Sequence, residues 1–448
     1  MSGANRDIGW LGIVRLGLVQ TALGAIVVLT TSTLNRVMAV ELALPAVLPG
    51  ALVAFHYMVQ ILRPRFGYGS DTGRRRTPWI IGGMAVLGLG GALAAAATAL
   101  MTTAVLPGIA LAVVAFLLIG AGVGASGTCL LVLLSASVPA ERRAPAASIT
   151  WIMMIAGFAV TAGVVGALLD PFSFGKLVLI SSSVSVLALI VTVAAVWGLE
   201  ADLQPGEIVA TPEHQAAGSS FREALLDVVR ESHTRRFAAF VFISMLAYSA
   251  QDLVLEPFAG AVFGLSPGQS TQLGGTQHGG VLLGMLLVAF LGSQLGKRRE
   301  GVLRSCMIGG CLASALLLVG LAVGGYAGRT WPLSANVFAL GIANGAFAVA
   351  AIGSMMELVS RGKENRDGLR MGIWGAAQAI AFALGGVGGT LAVDIVRWVS
   401  GSVVHAYALV FCLQAVLFLA AVLLAVRVAQ KSYASQPNNF PGSRVSAG

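Results

Sequence analysis

A chain of 448 residues with 57% hydrophobic and only 10% charged residues is not a water-soluble globule, in which about a quarter of residues carry charge. The formal net charge of +9 would suit nucleic acid, but the basic residues sort by loop instead of forming one patch. That distribution points to a membrane and excludes a nucleic-acid partner. Cys129, Cys306, Cys311 and Cys412 lie in or beside apolar stretches without paired or CxxC spacing, so they read as small apolar fillers.

Apolar runs of about 20 residues or more, enough for a helix to cross roughly 30 Å of hydrocarbon, occur twelve times. They fall at 11–33, 46–66, 78–102, 107–135, 145–169, 176–198, 236–258, 276–296, 302–325, 331–357, 369–393 and 403–428. The expected fold is all-α: a polytopic membrane protein with twelve transmembrane helices in two six-helix bundles. The chain then divides into an N-terminal bundle (1–199), a cytoplasmic linker (200–235), a C-terminal bundle (236–430) and a disordered tail (431–448).

The first run is too long for a signal-peptide core and no small-residue cleavage site follows it cleanly, so it reads as the first span. Arg15, about one turn inside, can snorkel to the headgroups. With a cytoplasmic amino terminus, all but Arg36, Lys176, Arg329 and Arg397 of the 28 Lys and Arg fall at or near the inner face. Positive-inside bias therefore places both termini in the cytoplasm.

Asn35, Arg36 and Glu41 follow the first span. On the second, His56 and Gln60 lie four residues apart on one face near its middle. A neutral imidazole there could ligate a chlorin magnesium, hydrogen-bond a neighbouring helix or relay a proton, and packing is the simplest of these readings.

The next loop reads RPRFGYGSDTGRRRTPW, and its segment from Gly69 to Arg76, GSDTGRRR, returns as GSQLGKRR from Gly292 to Arg299, 223 residues later. The same offset pairs Glu141, Arg143 and Trp151 with Glu364, Arg366 and Trp374. One duplication explains all of these pairs.

In the linker, Ser220 and Glu223 form a capping box ahead of apolar residues at helical spacing, so a short amphipathic helix along the membrane surface is expected. In the seventh span, Gln251, Asp252 and Glu256 precede Pro257, and Glu256 lies roughly 30 Å from Arg236 along the helix, near the outer interface. The first and seventh helices are equivalents under the duplication, so Arg36 could pair with Asp252 or Glu256. Asn35, Arg36, Glu41, Asp252 and Glu256 are thus candidates for an outer gate, solvated interfacial charge being the plainer reading. Asn344 in the tenth span and Gln378 in the eleventh join His56 and Gln60 as cavity candidates, with interhelical hydrogen bonding as the alternative.

The first copy of the loop resembles the cytoplasmic signature of the major facilitator superfamily, with Asp71 and Gly73 one residue closer than usual and Thr72 after the aspartate. The resemblance implies a latch between the bundles on the cytoplasmic side, built from Gly69, Asp71, Gly73, Arg74, Arg75, Arg76, Arg143 and Arg366. Arginines here also follow from positive-inside bias alone. The second copy has Gln294 in place of the aspartate, so any latch is asymmetric.

A narrower resemblance rests on LNRVMAVEL (34–42), QDLVLEPFAGAVFGLS (251–266), MGIWGAAQAIAFALGG (371–386) and the loop above. These phrases are similar to the PucC and LhaA type proteins of photosynthetic bacteria, over about residues 10–430. The compact loop after HYMVQILRPRFGYGSD looks most like the branch linked to bacteriochlorophyll synthesis. The resemblance implies an intracytoplasmic photosynthetic membrane and a role in bacteriochlorophyll supply or light-harvesting complex assembly. It also implies a bound bacteriochlorophyll or precursor, with bacteriochlorophyll synthase and light-harvesting or reaction-centre polypeptides as partners.

An enzyme that attached a prenyl tail would need clustered carboxylates to hold a magnesium diphosphate. The aspartates at 7, 71, 170, 202, 227, 252, 367 and 394 are all more than twenty residues apart, and there is no phosphate-cradling Gly-rich loop. A non-enzymatic pigment handler is therefore expected, with a secondary transporter of a small amphiphile as the alternative. The scarcity of mid-membrane carboxylates weighs against strong proton coupling.

Overall fold

The computed structural model describes residues 8–62, 75–200, 232–295, 301–360 and 367–434. Among the described residues every regular element is helical. The helices are α1 (Trp10–Glu41, with two wide π-type turns), α2 (Val47–Val59), α3 (Thr77–Leu100), α4 (Val105–Ser137), α5 (Ala140–Leu169) and α6 (Phe174–Val196), then α7 (Ser232–Phe263), α8 (Pro267–Leu295), α9 (Val302–Ala327), α10 (Leu333–Ser360), α11 (Asp367–Ser400) and α12 (Val403–Ala434). Eleven of these are long and apolar enough to cross a membrane, and α2 with its extension to Leu62 is a shorter apolar helix. The protein is a multi-pass membrane protein.

Several helices outrun their apolar stretches. α1 continues past Thr33 to Glu41 through wide turns at Leu29–Thr33 and Val37–Glu41, so Asn35 and Arg36 lie inside it and do not follow it. Hydropathy ends at Asn35, but the helix does not: the Leu253 and Leu265 carbonyls accept from Asn35 and Arg36. α7 likewise passes through Pro257 and stops at Phe263, before Gly264 at φ 70°. A proline is tolerated in a membrane helix whose neighbours and local adjustments re-satisfy the freed backbone.

α8 starts at Pro267, well before the expected 276. Its first turn is held by a capping box: the Gln269 N–H donates to Ser266 Oγ (3.1 Å) and the Ser266 N–H to Gln269 Oε1 (3.0 Å). The polar run TQLGGTQHGG conceals this turn from a hydropathy reading. α12 runs to Ala434, into the segment from Lys431 expected to be irregular. The amphipathic helix expected around Ser220 to Val229 and the remainder of the tail lie outside the described residues.

Apolar side chains collect in two main cores, one drawn from residues 8–199 with Leu253 and one from residues 237–425. Two seams join them. α5 packs on α8, and α2 packs on α11. These seams are equivalents under the duplication, which exchanges α2 with α8 and α5 with α11. Small residues permit the approach: a Cβ on Gly268 would meet Gly166 O at 2.5 Å, and one on Gly275 would meet Gly163 N at 2.9 Å. A small third cluster, Met154, Ile155, Val281 and Met285, sits midway along the α5–α8 seam.

Candidate functional site: a sealed end and an aromatic seam

The two ends of the bundle differ. One carries Arg75, Arg76, Arg142, Arg143, Arg235, Arg236 and Arg304 at or near helix termini. The other carries Arg36, Lys176, Arg329 and Arg397. At this second end, hydrogen bonds close the halves against each other.

Asn35 Nδ2 donates to the Leu253 carbonyl of α7 (2.7 Å), and Thr33 and Thr271 hydroxyls lie 3.2 Å apart across α1 and α8. Arg36, 1% exposed, donates through Nη1 to Glu41 (2.5 Å) and through Nη2 to the Leu265 carbonyl beyond α7 (2.7 Å). Its guanidinium lies over Gly260, where an added Cβ would meet Nη2 at 2.7 Å. Any side chain at Gly260 would displace it.

The expected pairing of Arg36 with Asp252 or Glu256 is thus replaced by a pair with Glu41 on its own helix. The reason is geometric. With α1 helical through this region, Glu41 stands little more than one wide turn from Arg36, while the guanidinium is drawn across α7 to a main-chain oxygen.

Two aspartates complete the seal, one on each seam. Asp394 of α11 accepts from the Ala46 N–H (3.0 Å) and the Val47 N–H (2.7 Å) at the start of α2. Asp170, just after α5, accepts from Ser266 Oγ (2.7 Å) at the start of α8. The two aspartates fall within one residue of the 223-residue repeat. The sequence alone singles out neither. A charged residue in or beside a span is itself a signal, but its partner, a helix N-terminus in the other half, has no signature in the sequence.

Below the seal, Glu256 is 2% exposed, and its Oε2, like Asp252 Oδ1, is buried without a hydrogen-bond partner. At 1.5 Å per residue Glu256 lies about 10 Å, and Asp252 about 16 Å, inside the end of α7. Both carboxylates thus lie within α7 and not at its end.

The latch expected at the arginine-rich end is only partly visible. Gly69, Asp71, Gly73, Arg74 and Arg366 lie outside the described residues. Arg76 begins α3, where its N–H and that of Thr77 donate to Glu200 Oε1 (2.6 Å) and Oε2 (2.9 Å), and Arg143 Nε donates to the Val138 carbonyl (3.1 Å) at the end of α4. Arg75 is exposed. The hydrogen bonds just given stay within the first half of the chain. Arg15 donates through Nε to the Ala195 carbonyl (2.8 Å) and through Nη2 to that of Trp197, so it caps the end of α6.

The four cavity candidates do not form one group. His56 is buried, with Nδ1 2.6 Å from the Val53 carbonyl, and Gln60 is buried in the next turn. Gln378 is half-buried on α11, across the same seam. Asn344 is elsewhere: it accepts from Ser314 Oγ (2.9 Å) and donates to Gln251 Oε1 (3.1 Å), joining α9, α10 and α7 inside the second core.

Beside His56, a line of rings crosses between the halves. Tyr57 of α2 lies 5.2 Å from Phe382 of α11, which lies 6.1 Å from Tyr248 of α7, and Asp252 stands one turn beyond Tyr248. Tyr57, Tyr248, Asp252 and Phe382 are all half-buried.

Residues 33–433 match the family model described as PUCC protein. The chain belongs to the PUCC family. It is 50% identical over 422 residues to the "Bacteriochlorophyll synthase 44.5 kDa chain" of Rhodobacter capsulatus, covering 94% of this chain and 96% of that one. It is 27% identical over 442 residues to "Protein PucC" of the same organism, covering 94% and 93%. Among solved structures, a bacterial homolog of the human lysosomal transporter Spinster, inward-facing and unoccupied, superposes with a TM-score of 0.73 at 14% identity, covering 96% of this chain and 98% of that one. The peptide transporter POT, in a complex with sulfate, gives 0.68 at 15% identity, covering 95% and 97%. This PUCC-family chain therefore has the twelve-helix fold of major facilitator transporters, in agreement with its repeat and loop signature.

Proposed function

We propose that this PUCC-family protein binds bacteriochlorophyll or a precursor between its two halves and hands it to synthase or antenna polypeptides without transforming it. The observation that carries this reading is the 50% identity, over nearly the whole of both chains, to a relative named for bacteriochlorophyll synthesis, combined with a transporter fold. The seal stands at the end with few basic residues, so positive-inside orientation makes it the outer end and admits the pigment from the cytoplasm or the inner leaflet. Asn35, Arg36 and Glu41 then act as an outer gate together with Asp170 and Asp394.

His56 enters this reading as a candidate ligand of chlorin magnesium, its imidazole held with Nδ1 2.6 Å from the Val53 carbonyl. The test is gentle purification from a pigment-producing host, followed by an absorption spectrum and identification of co-purifying proteins. Pigment at a fixed ratio, with photosynthetic polypeptides, is the expected result. A colourless preparation lacking both would overturn the reading.

A specific observation favours a second reading, transport of a small amphiphile. Asp252 and Glu256 lie within α7 with unpartnered oxygens, and buried intramembrane carboxylates often mark substrate or proton pathways. Uptake into proteoliposomes that depends on a proton gradient would support it over pigment handling.

A further inference from the structure

α3 is held by its neighbours on two sides. A Cβ on Gly83 would meet Ser126 N of α4 at 2.6 Å, and one on Gly90 would meet Ala115 O of the same helix at 2.9 Å, while Gly88 and Gly91 lie against Ser185 of α6. The remaining face carries Pro78, Gly82, Ala85 and Leu89, all exposed. They follow one another at helical spacing along an apolar span, so this face is turned to the hydrocarbon of the bilayer. Where it adjoins α4 there is a cleft of about 360 Å³, lined by Pro78, Trp79, Gly82 and Val86 of α3 and by Ala121 and Ala125 of α4.

Small side chains make the cleft, and helix packing accounts for only some of them. Gly83 is required by the approach of α4. Gly82 is not: a Cβ there would meet nothing within 4 Å, and glycine is among the poorest helix formers. No charged group lines the space. It runs about 12 Å along α3, from Pro78 to Val86, at 1.5 Å per residue. That is short against the roughly 30 Å of a membrane-crossing helix, so it suits a single flexible hydrocarbon chain and not a second helix. An unfilled cleft forfeits the dispersion contacts of its walls, and lipid chains are the material around it.

The mouth of the cleft supplies a charge. Pro78 and Trp79 stand in the first turn of α3, at the arginine-rich end of the bundle, a depth at which tryptophan sits among headgroups. Three residues before Pro78, Arg75 is exposed and makes no ion pair among the described residues. The α3 N-terminus itself is taken, since Glu200 accepts from the Arg76 and Thr77 N–H groups. An anionic headgroup is therefore left to the Arg75 guanidinium, whose fork of donors matches a phosphate. We propose that the α3–α4 cleft holds one acyl chain of an anionic phospholipid whose headgroup pairs with Arg75. The site lies on the outer wall of the first half, apart from the space between the halves, and does not depend on which ligand that space takes.

The test counts the lipids that stay on the detergent-solubilised full chain, by native mass spectrometry, when phosphatidylglycerol and phosphatidylcholine of identical chains are offered in equal amounts. The unaltered protein is expected to retain one phosphatidylglycerol in preference to phosphatidylcholine by about fivefold, the weight of one arginine close to an anionic headgroup. Arg75→Gln should bring the two lipids level. Gly82→Leu, which fills the cleft and leaves Arg75 in place, should remove the retained lipid whatever its headgroup.

Absence of a preference in the unaltered protein overturns the proposal, as does a preference that survives in either variant. Arg75 is exposed and precedes α3, so its replacement leaves the packing of the helix untouched. Should Gly82→Leu fail to fold, the unaltered protein decides with phosphatidylglycerol that carries a photoreactive group in its acyl chain. Label is expected between Pro78 and Val86 or between Ala121 and Ala125; label confined to other helices overturns the cleft as its seat.

Discussion

The two seams that join the halves are copies of one another, yet their aspartates do different work. At the α2–α11 seam, Asp394 takes two main-chain N–H groups at the start of α2. At the α5–α8 seam, Asp170 takes only the hydroxyl of Ser266. The cause lies in the helices they face. α2 has Ala46 at its N-cap and no capping side chain of its own, so its orphan donors must find an acceptor elsewhere. α8 has Ser266 and Gln269, which satisfy each other's main chain. Closing the sealed end therefore completes α2, whereas α8 is complete already. The scaffold is repeated, but the two helix starts differ in how they are capped, and the α2–α11 seam is expected to be the stronger of the two.

The sharpest way to break this comparison is Asp394→Ala. Two charge-assisted hydrogen bonds of about 1.5 kcal/mol each are lost, so the sealed end should open more often by about 3 kcal/mol, roughly a hundredfold. With Cys129, Cys306, Cys311 and Cys412 replaced, a Thr33→Cys probe, buried beside Thr271 at the seal, should react with an impermeant thiol reagent correspondingly faster. An unchanged rate would mean that the α2 start is satisfied some other way.

Next in size is Arg36→Met, which removes the bond to Leu265 and the pair with Glu41. Because Glu41 is 34% exposed, water can re-solvate it, and the cost falls to about 2 kcal/mol, chiefly from the stranded main-chain oxygen. The same thiol probe should speed up by roughly thirtyfold. This change acts on the contact of α1 with the segment after α7, outside both seams, so it measures the seal without discriminating between them.

How much of this is open to a reader of the sequence differs by feature. The spans and the halves are legible because apolar length and a 223-residue self-similarity are local signals. The ends of α1, α7 and α8 are not: Asn35, Arg36 and Pro257 look like terminators until Leu253, Leu265 and the neighbouring helices supply partners. The capping box at Ser266 is written in the sequence but masked by the polar residues that follow it. Asp252 and Glu256 can be found, but not their burial without hydrogen-bond partners, which depends on the helices packed around α7. The rings of Tyr57, Phe382 and Tyr248 come from three helices and have no shared pattern along the chain.

Ser266→Ala sharpens the comparison from the other side. It deletes the α8 cap and the partner of Asp170 together, at about 1 kcal/mol. Hydrogen exchange should accelerate at the first turn of α8, Gly268 to Ser270, with no change at the start of α2. Acceleration at both would mean that the seams open as one unit and that the capping difference is of no energetic consequence.

The smallest effect belongs to Asp170→Asn. The amide oxygen can still accept from Ser266 Oγ, and the Gln269 N–H remains capped by that same Ser266 oxygen, so only the charge assistance of one hydrogen bond is lost. That is below about 1 kcal/mol, less than roughly a fivefold change in labelling of the Thr33→Cys probe. The comparison with Asp394→Asn is the decisive one. There the amide cannot present two equivalent oxygens to the Ala46 and Val47 N–H groups, one donor is left unmet, and the favourable charge at the α2 N-terminus disappears as well. The same chemical change should therefore open the seal substantially at residue 394 and barely at residue 170; equal effects would show that the difference in capping between the two helix starts does not make one seam the stronger latch.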